Sequence, residues 1–107
     1  MERDPVEAIL EALRGYARVK GPGVLAIVKA GGQERVKIRF QALYKYHDES
    51  TGYTLLEEAL AELGEEGVER LESMGIRLVN IGRNLYLEVP VSLLESMVKG
   101  KGRGRPS

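Results

Sequence analysis

The sequence predicts an α+β fold: helices packed on one four-stranded antiparallel sheet, in the order α-β-β-α-α-β-β-α. Three observations predict it. Apolar residues recur at helical spacing over residues 6–13, 55–63 and 68–74. Polar and apolar residues alternate over 35–40 and 85–89. Glycine-containing turns near 20–23, 31–34 and 82 divide the stretches.

The first element opens with Asp4 and Pro5, an N-cap followed by a first-turn proline. Val6, Ile9, Leu10 and Leu13 form its apolar stripe, and KGPG at 20–23 is expected to end it. VLAIVKA at 24–30 is rich in branched residues and reads as a strand. GGQE then turns the chain into a second strand, RVKIRFQALYKYH at 35–47, paired with the first as a hairpin. Its length favours a bulge or bend.

DESTGY is a loop, and Thr54 is the expected cap of a helix whose first turn holds Glu57 and Glu58. Leu55, Leu56, Ala59, Leu60 and Leu63 make its buried stripe, and Gly64 ends it. A shorter helix follows, with Val68, Leu71 and Met74 inward and Gly75 as its stop. IRLVNI and RNLYLEV are strands joined at Gly82. In the second, Leu85, Leu87 and Val89 share one face and Tyr86 takes the other. Pro90 breaks this strand, and Ser92 is the expected cap of a closing helix. Residues 1–98 are thus one domain, with 99–107 a flexible basic tail.

Composition narrows the class. The chain has 107 residues, 43% hydrophobic, with no cysteine, which excludes disulfides and thiolate metal sites. It has no apolar run long enough to span a membrane and no secretory signal at its start, so a cytoplasmic protein with no membrane partner is expected. Charged residues reach 30%, dominated by Lys, Arg and Glu, a composition expected of a hyperthermophile. The formal net charge of zero is a cancellation. Residues 1–47 carry nine basic and five acidic residues, 48–75 one and nine, and 76–107 six and two. Such asymmetry is expected either of a surface for polyanions kept apart from an acidic one or of ordinary solvated faces.

Catalytic signatures are missing. His47 is the single histidine, beside Asp48 and Glu49, without a second His or Cys to complete a metal site. The sequence has neither a GxSxG elbow nor a GxxxxGK[ST] phosphate loop. A non-enzyme without cofactors is expected. Residues 54–89 have the order of a winged helix-turn-helix, but EEGVERLESM, in the recognition position, carries four Glu and one Arg. Phosphates would repel it.

The stretch 35–46 is the chemical focus. It holds four of the sixteen basic residues, three of the six aromatic ones and no acid. Exposed strand cations also serve to discourage sheet aggregation, and Val36, Ile38 and Phe40 suit a core. The added signal is Tyr44-Lys45-Tyr46, together with Tyr86 on a strand flanked by Arg77 and Arg83. Rings that stack bases and cations that pair phosphates are what unpaired nucleic acid requires.

RVKIRFQALYKY, TLLEEALAELGEEGVERLESMG and IRLVNIGRNLYLEV, in that order after a leading helix, resemble ThermoDBP and its related proteins, single-stranded DNA-binding proteins of hyperthermophilic archaea. The resemblance covers about residues 5–98. It implies helices on a four-stranded sheet and a base-binding cleft with a basic rim. Carried onto this chain, the rim is Arg35, Lys37, Arg39 and Lys45, and the base contacts are Tyr44, Tyr46, Tyr86 and Phe40. Arg77 and Arg83 complete the candidate set. The expected partner is single-stranded DNA, with RNA as the alternative ligand, bound by a homo-oligomer, dimer or tetramer. The family's founding member dimerises through an extended last helix. Here that helix is short and GKGRGRPS follows, so association would use apolar helix faces. Two other functions compete. One is a protein-interaction module using the acidic helices of 54–74, and the other is a duplex-DNA-binding regulator.

Overall fold

The computed structural model describes residues 3–99. Helix α1 spans Pro5–Ala30 and is followed by strand β1, Arg35–Arg39. Two 3₁₀ segments come next, Phe40–Tyr46 and Glu49–Thr51, and then helices α2, Leu56–Glu62, and α3, Gly64–Ser73. Strands β2, Arg77–Ile81, and β3, Asn84–Pro90, form a hairpin, and helix α4, Val91–Lys99, closes the chain. The α+β class holds. The sheet has three strands, in the antiparallel order β1-β3-β2, and not the four expected.

The missing strand is VLAIVKA. It continues α1, because its buried residues keep helical spacing: Ala17, Gly21, Leu25 and Val28 lie on one face. The KGPG stretch does not end the helix. Pro22 and Gly23 face solvent, while Gly21 allows α4 to approach. A Cβ at Gly21 would sit 2.4 Å from Val98 Cγ2. The glycines of GGQE do the capping instead. Gly32 has φ +71°, its N–H donates to the Lys29 carbonyl, and the Gln33 N–H donates to the Val28 carbonyl. This is a Schellman motif, so the turn expected to join a hairpin closes a helix.

The long strand expected over 35–47 stops at Arg39. Beyond it, Phe40 and Leu43 are buried three residues apart, the period of a 3₁₀ helix. Tyr44, Lys45 and Tyr46 therefore leave the sheet. The entry to α2 also differs slightly from expectation. Leu55 holds the cap position, and Glu58 Oε1 accepts from the backbone N–H groups of both Thr54 and Leu55. Gly64, with φ +64°, starts α3 directly after α2. Met74 is exposed and not inward. Helix α4 starts at Val91, so Ser92 lies inside it.

The Asp4 cap forms as expected. Its Oδ1 accepts from the N–H groups of Val6 and Glu7 at 3.0 and 3.4 Å. Val36, Ile38, Leu87 and Val89 on one sheet face join a single core with Ile9, Leu13, Leu43, Leu71 and Leu94. The helices thus cover one face of the sheet and leave the other open. None of the described helices is long and apolar enough to cross a membrane. The expected basic tail lies, beyond Lys99, outside the described residues.

Candidate nucleic-acid interface

The open face is set by strand alternation. Arg35, Lys37 and Arg39 project from β1 opposite to buried Val36 and Ile38. The register carries this face across the sheet. Lys37 lies beside Glu88, which lies beside Arg77. In the next row Arg39 lies beside Tyr86, which lies beside Val79. Arg35, Lys37, Arg39, Arg77 and Tyr86 therefore share one surface, although they come from three strands.

Glu88 is the acid in this surface, and sequence reasoning missed it as a site residue. Its side chain is 12% exposed and sits among three cations. Arg77 Nε is 3.2 Å from Oε1, Arg35 Nε is 3.5 Å from the same oxygen, and Lys37 Nζ is 3.7 Å from Oε2. Oε1 is buried without a hydrogen-bond partner, so these are charge contacts. One carboxylate cannot neutralise three cations. Arg77 stays 61% exposed and Lys37 47% exposed at the side chain. Arg35 is held further by donation to the Gly75 carbonyl at 2.5 Å. Arg39 bonds to neutral groups, Asn84 Oδ1 at 2.9 Å and Gln41 Oε1 at 3.2 Å, which orient its guanidinium and leave its charge intact.

Beside this face lies a groove of about 360 Å³. Arg39, Tyr44 and Arg83 line it, with Gln41, Asn84 and Glu57 as its other polar groups. Tyr44 is 40% exposed. Its hydroxyl donates to Glu57 Oε2 at 3.0 Å, and its ring meets Phe40 edge-on at 5.9 Å. Burial first, then the Glu57 carboxylate, raises the Tyr44 phenol above its ordinary pKa. Arg39 belongs to both the open face and the groove.

Three candidates fall outside this arrangement as base contacts or rim. Phe40 is 2% exposed, although it touches the groove wall, and serves the core. Tyr46 packs edge-on to Tyr16 of α1 at 6.0 Å. Lys45 lies over the Tyr46 ring, 5.9 Å from its centroid. The 3₁₀ turn places the Tyr46 and Lys45 pair beside α1, away from the sheet. The signal that would have found this is the burial period of Phe40 and Leu43. His47 is half-buried, and its Nε2 meets the Tyr53 carbonyl at 2.7 Å. That carbonyl accepts, so the proton is on Nε2. Among the described residues no three His, Cys, Asp or Glu side chains gather to hold a metal ion.

Comparison with protein-family models, curated proteins and solved structures finds no match to this chain.

Proposed function

We propose that the open sheet face and its adjoining groove bind single-stranded nucleic acid, DNA in the first place and RNA as the alternative, without catalysis. The observation that carries this reading is the cross-strand arrangement. Four cations, Arg35, Lys37, Arg39 and Arg77, share a face with Tyr86 and against one carboxylate, Glu88. Phosphates would pair with these cations and with Arg83. Bases would stack on Tyr86 and Tyr44, each stack worth about 1–3 kcal/mol. Backbone pairing and ring stacking carry little sequence information, so the binding would be indifferent to sequence.

Such a protein would cover exposed strands in the cytoplasm. Self-association into a dimer or tetramer belongs to the same reading. Val19 and Ile27, both strongly exposed on α1, are the apolar side chains it would bury.

Fluorescence anisotropy with labelled single-stranded DNA, duplex DNA and RNA at two salt concentrations tests the proposal. The single strand should bind more tightly than the duplex, and more weakly as salt rises. Replacing Arg35, Lys37 and Arg39 together by Ala should weaken binding at least tenfold. It should also lower the salt slope by about 2, at about 0.7 per phosphate contact. Equal affinity for duplex and single strand would refute base stacking.

A further inference from the structure

Two acids of the segment 48–75, Glu65 and Glu69, lie on another surface. Strand β2 is at the edge of the sheet, so among the described residues its outer backbone has no strand partner. Between this edge and helices α2 and α3 runs a groove of about 560 Å³. Leu60, Leu63, Val68 and Leu78 form its apolar floor, and Glu65 and Glu69 stand on its rim. The two glutamates are one helical turn apart on α3. Neither is ion-paired among the described residues. Arg70, the one cation in 48–75, is turned to Asp4, with Nη1 and Nη2 at 3.2 and 3.1 Å from its two carboxylate oxygens.

We infer that this groove docks an extended basic segment of a partner protein, which adds a strand to β2. Alternation decides the chemistry of the occupant. A strand laid along an edge sends every second side chain to one face. Side chains of one parity would face the groove, apolar over Leu78 and Val68 and basic where they meet Glu65 and Glu69. Those of the other parity would fall on the open face beside Arg77 and would be uncharged. A second copy of this chain suits the site less well. Twofold pairing of β2 with β2 would set the two acidic α3 helices against each other. Nucleic acid is disfavoured by the same charges.

A fluorescein-labelled peptide with valine and lysine taking turns at every second position, and threonine between them, tests this without any nucleic acid, so its outcome is separate from that of the proposed strand binding. The full chain should bind it saturably, with amide shifts in an HSQC spectrum centred on α3 and 77–81. Glu65→Lys combined with Glu69→Lys should weaken binding at least tenfold. The same peptide with glutamate for lysine, or with each lysine exchanged with the threonine beside it, should bind at least tenfold less tightly. Absence of saturable binding, equal affinity in the charge-reversed variant, or shifts on another surface would each overturn the inference. So would a wild-type dimer that Val68→Lys dissociates, because the groove would then belong to a second copy.

Discussion

Glu88 decides how much positive charge the open face offers. It holds Arg35, Lys37 and Arg77 within 3.2–3.7 Å, and it stands where phosphates would have to approach. Glu88→Gln keeps the shape and removes one negative charge. It should tighten single-stranded DNA binding several-fold in anisotropy, while lowering stability by about 1 kcal/mol as three cations lose their counter-charge. The opposite signs matter, because a merely structural role would not strengthen binding. Tyr53 gives a test away from the face. Burial first, and then its hydrogen bond to Glu62 Oε1 at 2.8 Å, pushes its phenol up to about 12. The folded state thus favours the protonated ring relative to an unfolded value of about 10. Its contribution is fully present below about pH 10 and is lost as pH rises through about 12. Urea melts should show this loss, and Tyr53→Phe should flatten it while costing about 1 kcal/mol at pH 7. At this scale the strand cations were legible, because Arg35, Lys37 and Arg39 alternate with Val36 and Ile38. Glu88 was not, because its importance depends on a register between strands distant in sequence.

At the scale of elements, the helices of 56–62 and 64–73 and the strands of 77–81 and 84–90 were readable from periodicity and from Gly82. The largest misreading was VLAIVKA. Branched residues and the preceding Gly-Pro-Gly are local signals for a strand after a turn. Packing overrides them, since Leu25 and Val28 bury one helical face and Gly21 meets Val98 across α4. Pro22 is therefore a proline inside a helix, where it forfeits one backbone hydrogen bond. Pro22→Ala should raise unfolding stability by about 1–3 kcal/mol in urea. In a loop, the same change would be neutral or destabilising. Gly21→Ala should lower stability by about 1–3 kcal/mol through overpacking, and Val98→Ala in the same chain should recover part of the loss.

At the scale of the whole molecule, part of the charge segregation in the sequence becomes a separation of surfaces, although Glu57 sits in the cationic groove. Glu65 and Glu69 of α3 border the groove at the β2 edge, and the cations of β1 and β2 share the open sheet face. The segregation was visible in the linear sequence. The division of the aromatic residues was not, because one 3₁₀ turn sends Tyr46 to α1 and leaves Tyr44 at the groove. Tyr86, on the central strand between Arg39 and Val79, is where a base would stack. The chain has no tryptophan, so Tyr86→Trp creates a single reporter at that position. Titration of this variant with single-stranded oligothymidylate at low salt tests the central claim most directly. The account predicts strong quenching that saturates with binding, recedes as salt is added and is much weaker with duplex. Emission unchanged when anisotropy shows the strand fully bound, or no binding at any salt, would contradict it.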